Sequence, residues 1–351
     1  MTIFGQSGGS SKVETLLIMP EASGLFHRAI NMSGPTFYAM EAARKWEPLA
    51  DRFIQELGIT KGELRKLQDV PPDRLLAAHA AAVKALKSDD FRSVIDGRHI
   101  PNGPLMPEAL ALNPAVPLMM GTAETEASSR LRRDPRNATV TEAQVTMRIM
   151  EQFNLDARRA ETVIAGYRQD AQNRTPFDLL QAVACDTMLR GRILLAAEAK
   201  AKARKAPLYL YNFCRKLPAD GGIWGPPHAM DIPFAFGNVE VVRSSVGPGP
   251  GPDLASLHMM AAFLAFARTG NPNNPRMPVW KPYDSVRRAT MTINDTCRLV
   301  DDNRGAGRVA SLGLLGKDAY ELETGPLFNL QLRAGVFAQE IAALGNVQSQ
   351  A

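Results

Sequence analysis

Ser7 lies within Gly5-Gln6-Ser7-Gly8-Gly9, a G-x-S-x-G pattern that follows the apolar run Thr2-Ile3-Phe4 and leads into a helical stretch, Val13 to Ile18. Strand, sharp turn and helix in that order make a nucleophile elbow, in which flanking glycines let the chain turn tightly and lift the hydroxyl out of the sheet. The N-terminus of the following helix favours developing negative charge, and the Gly8 backbone N–H is placed as an oxyanion donor. A serine hydroxyl is a poor nucleophile until an imidazole takes its proton, and that imidazole needs a carboxylate to fix its tautomer. His228, at the end of the loop Gly221-Gly222-Ile223-Trp224-Gly225-Pro226-Pro227, is the candidate base. Glu124 and Glu126, just past the apolar run Pro117-Leu118-Met119-Met120-Gly121, are the candidate acids. The other histidines, His27, His79, His99 and His258, fall mostly in helical or apolar surroundings that suit packing.

The elements that must position these residues are legible in outline. A second apolar run after Gly24-Leu25-Phe26-His27-Arg28 closes at Ser33-Gly34 and reads as a buried strand. Helical spacing runs from Glu41 to Leu57 with Gly58 as a stop, and again from about Asp73 to Leu86. Pro117 to Gly121 reads as a short, fully buried strand, and Leu208 to Phe213 alternates and is rich in aromatics, as a strand should be. Between them, helices from Thr141 to about Gln172 and from about Asp178 to Lys202 predict a helical insertion over about 140–203. A helix over Leu254 to Arg268, a strand over Ala289 to Ile293 and a terminal helix over Leu327 to Leu344 complete the reading. Strands alternating with helices predict an α/β fold; the length suits one large domain or two modest ones, and with no clear linker a single domain over 1–351 is expected.

Composition narrows the function classes. The 351 residues are 45% hydrophobic and 22% charged, enough to bury a large core. Net charge is +5, but Lys and Arg are scattered without interleaved aromatics, which argues against nucleic-acid binding. No apolar run reaches membrane-spanning length. Cys185, Cys214 and Cys297 are widely separated and lack C-x-x-C spacing, so neither a zinc site nor a dense disulfide framework is indicated, and nucleophilic catalysis by a serine is expected to need no cofactor. The sequons at Asn31, Asn137 and Asn294 carry little weight. A cytoplasmic location is favoured for the chain as given, with secretion if a further N-terminal segment exists.

Thr2 to Gly9 and Gly24 to Ile30 resemble the type-B carboxylesterase family. Val94-Ile95-Asp96-Gly97, Gly121 to Glu126, Pro227 to Phe234, Phe266 to Pro272 and Trp280 to Asp284 resemble successive motifs of that family in order, most closely its bacterial para-nitrobenzyl esterase-type members. The resemblance implies an α/β-hydrolase fold, a mostly parallel sheet flanked by helices. It also implies a serine hydrolase cleaving carboxylic esters, with Ser7 as nucleophile, Glu126 as acid, His228 as base and Ser33 supporting the acid. Gln6 stands where many relatives carry Glu, which points to neutral ester substrates. Ala127 and Ala229 replace glycines common in the family. The family's first strands and its Gly-Gly-Gly oxyanion segment have no counterpart here, so the resemblance covers a carboxyl-terminal portion. That predicts an impaired oxyanion hole and an exposed edge at Thr2-Ile3-Phe4 open to self-association. A catalytically impaired fragment and a noncatalytic, cholinesterase-like interaction module are the alternatives.

Overall fold

The computed structural model describes residues 1–34, 40–87, 93–203 and 205–315. Its strands are β1 (Thr2–Gln6), β2 (Arg28–Met32), β3 (Glu41–Ala42), β4 (Val94–Ile95), β5 (Leu118–Ala123), β6 (Leu208–Phe213), β7 (Thr290–Ile293) and β8 (Arg298–Val300). The main sheet runs in the order β1-β2-β5-β6-β7-β8, parallel except for β8, while β3 and β4 form a separate parallel pair. The register Gln6–Met32, Met32–Gly121 and Gly121–Tyr211 brings the carboxyl ends of four adjacent strands side by side. In open parallel sheets that end is where ligands bind.

The central strands are buried on both faces, which is why they read as nearly continuous apolar runs. Ala29, Leu118, Met120, Leu208 and Leu210 face a core shared with Val13 and Leu17 of the helix Gly8–Ile18 and with Ile193 and Leu194 of the helix Gly191–Ala203. The intervening residues Ile30, Met119, Tyr209 and Tyr211 face the opposite core, filled by Phe234, Met259, Phe263 and Phe266. The last three belong to the helix Gly251–Thr269.

Between β5 and β6, the helices Glu142–Phe153, Ala157–Asp170 and Pro176–Cys185 build a core of their own around Val145, Ile149, Tyr167 and Leu180. The first begins where a polar cap is expected: Gln144 N donates to Thr141 Oγ1, and Thr141 N to Gln144 Oε1. The predicted helix over Asp178 to Lys202 is divided by a π turn at Asp186–Arg190, and its second half, Gly191–Ala203, covers the sheet. β8 is a strand that sequence reading misses, because Arg298-Leu299-Val300 is short and partly exposed. The predicted helix over Leu327 to Leu344 lies outside the described residues. β1 sits at the end of the sheet order, as expected of Thr2-Ile3-Phe4. No helix among the described residues is long and apolar enough to cross a membrane.

Candidate functional site

The strand ends deliver the candidate residues in sheet order. Ser7 follows β1, Ser33 follows β2, Glu126 lies three residues past β5, and His228 stands in the segment that follows β6. Ladder-type bonds continue beyond the strands and hold these ends together. Ser7 N donates to Met32 O at 2.9 Å, Ser33 N to Gly121 O at 2.8 Å and Glu124 N to Phe213 O at 2.8 Å.

Ser7 itself carries the backbone strain of the elbow, at φ 54° and ψ −119°. Sequence reading assigns the tight turn to the flanking glycines; the structure gives them another task. Gly5, Gly8 and Gly9 have no positive φ. A Cβ on Gly5 would stand 2.2 Å from Gly9 C, and one on Gly34 would stand 2.2 Å from Ser7 O. Gly5 and Gly34 therefore admit close backbone approach to the start of the helix and to Ser7, whereas a Cβ on Gly9 would meet nothing within 4 Å. No side chain caps the helix Gly8–Ile18, and Gly8 is exposed, so the first N–H groups beside Ser7 remain open to an anion.

Glu126 is fully buried. Its Oε2 lies 2.6 Å from His228 Nδ1, while Oε1 accepts the Ser33 hydroxyl and, at 2.7 Å, Ala123 N–H. Of the two candidate acids, Glu126 and not Glu124 meets the imidazole among the described residues. Burial alone would lower the His228 pKa, but the hydrogen bond and charge of Glu126, with Asp231 beyond, outweigh it and hold His228 above the ordinary value of 6.5. On its other side, His228 Nε2 lies 3.3 Å from Gln6 Nε2. Ser7 Oγ makes no hydrogen bond among the described residues. In the neutral tautomer that donates Nδ1–H to Glu126, Nε2 is the acceptor available to a Gln6 N–H.

Asp231 belongs to this cluster and was missed by sequence reasoning. It is fully buried, accepts the Tyr211 hydroxyl at 3.0 Å, and leaves Oδ1 without a partner. Burial, and then the charge of Glu126, push its carboxyl up to about 7. The available signal was its position at the start of a short helix, Asp231–Ala235, three residues beyond His228. Ala229 sits at φ 69°, a conformation unfavourable for alanine, whereas Ala127 is ordinary right-handed helical backbone at φ −75°. Two other histidines depart from their expected packing role. His27 and His99 are exposed, with Nδ1 atoms set against the Met1 amine and Glu21. Phe234 is core, while nearby Phe236 is 49% exposed and packs on Phe4.

The sequence profile of the Carboxylesterase family matches residues 1–311. This chain belongs to the carboxylesterase family. Within the family it is 27% identical over 314 residues to para-nitrobenzyl esterase of Bacillus subtilis, covering 86% of this chain and 60% of that protein. It is 26% identical to phenmedipham hydrolase of Pseudarthrobacter oxydans, covering 84% and 59%. Among solved structures, a carboxylesterase of Geobacillus stearothermophilus superposes with a TM-score of 0.70 at 28% identity, covering 88% of this chain and 63% of that one. An esterase of Clostridium hathewayi that can hydrolyse aliphatic aromatic polyesters gives 0.67 at 27% identity, covering 90% and 62%. The fold of this family member is the α/β-hydrolase fold. The chain spans about three fifths of the length of these relatives.

Proposed function

We propose that this carboxylesterase-family chain hydrolyses neutral carboxylic esters through an acyl-serine intermediate, with Ser7 as nucleophile, His228 as general base and Glu126 as the acid that orients it. The observation that carries this reading is the Glu126–His228 pair, a fully buried carboxylate 2.6 Å from Nδ1, set on strand ends neighbouring the elbow serine. In the reaction the Gln6 amide leaves Nε2, which accepts the Ser7 proton as Oγ attacks the ester carbonyl. The oxyanion forms at the open end of the helix Gly8–Ile18, with the Gly8 N–H as one donor. The imidazolium, stabilised by Glu126, returns its proton to the departing alcohol. Water then repeats the sequence on the acyl-serine and releases the acid. A neutral amide at Gln6, in place of a carboxylate, favours neutral over cationic alcohol groups. Ser33 and Gln6 act on the His–Glu pair rather than on substrate.

The test is release of nitrophenol from short-chain para-nitrophenyl esters by the purified chain beside Ser7→Ala. Loss of at least about 10³-fold in the variant is the expected outcome. Equal rates in the two proteins would overturn the assignment of Ser7, and absence of turnover in both would favour the impaired-fragment reading.

A further inference from the structure

Glu126 and His228 lie 102 residues apart in the chain, and their pairing needs the segments that carry them to be held in register. The base segment is poorly equipped to do this by itself. Pro226 and Pro227, immediately before His228, have no N–H, so backbone hydrogen bonds there can be made only through carbonyl oxygens. Two side chains from elsewhere in the fold supply donors to this segment. Gln181 Nε2 donates to Trp224 O at 3.3 Å, and Thr125 Oγ1 donates to Pro226 O at 2.9 Å.

Gln181 lies on the helix Pro176–Cys185 of the insertion, between Phe177 and Cys185 at intervals of four residues, so the three side chains share one helix face. Phe177 meets the Trp224 ring edge-on, with centroids 5.1 Å apart, and Cys185 Sγ accepts the Ala127 N–H at 3.3 Å. Ala127 directly follows Glu126. One face of one helix therefore touches the base segment at two positions and the acid segment at the third. Phe177, Gln181, Cys185 and Trp224 are all buried, where a hydrogen bond is stronger than in water. Thr125 closes the arrangement, since it directly precedes Glu126 and is bonded two residues before His228. Gly225 makes room for it. At φ 56° Gly225 is in the left-handed region, and a Cβ there would stand 2.4 Å from Thr125 Oγ1.

We propose that this face of the insertion helix, together with the Thr125–Pro226 bond, sets the spacing between Glu126 and His228, and that Thr125 and Gln181 are positioning residues for the pair. The inference rests on the reading of that pair as the acid and base of ester hydrolysis. Both side chains act through the pair rather than on substrate, and misplacement of a reacting group by about 1 Å costs up to about 10²-fold in rate.

NMR titration of the His228 ring protons in the full chain, assigned by comparison with His228→Gln, reads the pairing without turnover. Burial lowers the His228 pKa; the Glu126 hydrogen bond and charge and the Asp231 charge raise it, and the Arg130 charge lowers it. Of these, the Glu126 hydrogen bond depends most steeply on geometry, so a loosened pair moves the midpoint down. Thr125→Val is expected to lower the midpoint and to reduce kcat for a para-nitrophenyl ester by about 10–10²-fold with KM little changed, and Thr125→Ser to recover both. Gln181→Leu should act in the same direction, and it replaces Thr125→Val if that variant does not fold. The proposal is overturned if the variants keep the midpoint and kcat of the unsubstituted chain, or if they lose stability in urea with the midpoint unmoved. It is also overturned if Thr125→Ser behaves as Thr125→Val. If the unsubstituted chain shows no turnover, the ester-hydrolase reading fails while the midpoint still decides the positioning role.

Discussion

Both oxygens of Glu126 are committed, one to His228 and one to Ser33 and Ala123 N–H, so the carboxylate has a single orientation and imposes it on the imidazole. Glu126→Gln removes the charge that raises the His228 pKa and permits the wrong tautomer. We expect kcat/KM for a para-nitrophenyl ester to fall by about 10³–10⁴. Under the proposed mechanism the sign of the pH effect follows from the base: only neutral His228 would accept the Ser7 proton, so activity is expected to rise with pH through the His228 pKa, which is raised above 6.5 in the unsubstituted chain. In the variant that limb moves to lower pH, and an unmoved limb would count against the pairing. Ala229 offers a second measurement. At φ 69° alanine pays a steric cost that glycine does not, partly offset by the greater freedom of glycine in the unfolded chain. Ala229→Gly should stabilise the fold by about 0.5–1 kcal/mol in urea unfolding; destabilisation would show that the methyl has a packing role.

The elbow helix is fixed as an element by what lies beneath it. Glu14 on that helix is fully buried, accepts Asn31 Nδ2 from β2, and pairs with Lys200 of the helix Gly191–Ala203 at 3.2 Å. Two helices on the same face of the sheet are thereby tied through a buried ion pair, and the position of Ser7 depends on that tie. Removing one partner of such a pair leaves an uncompensated charge, so Lys200→Met should cost about 3–5 kcal/mol. The double variant with Glu14→Gln should recover part of it. Chemical denaturation of the three proteins measures both, and additive losses would mean that the two side chains do not act on each other.

At the scale of the whole chain as given, the side of β1 that no strand pairs among the described residues is the feature with consequences. Among the described residues β1 pairs only with β2, and Phe4 is 53% exposed against Phe236 at 49%. Unpaired strand edges with apolar side chains template association. We expect concentration-dependent self-association in sedimentation velocity, reduced in Phe4→Lys, where a charge is placed on the edge strand. A monomer at all concentrations, for both proteins, would remove this expectation.

The sequence by itself determined the elbow, the buried strands and the order of the candidate nucleophile, acid and base, because local glycine chemistry and apolar runs leave a direct mark on the chain. It also placed the polar cap at Thr141, where side chain and backbone lie three residues apart. It could not choose between Glu124 and Glu126 from spacing alone. The two are near neighbours, and only the packing of β2 beside β5 brings Ser33 to one of them. The raised carboxyl of Asp231 and the contact between Gln6 and His228 were likewise invisible, since each depends on residues distant in the chain sharing one desolvated volume. Residue type and short spacing set which chemistry is available, while tertiary burial decided which of those groups meet and what charge each can hold.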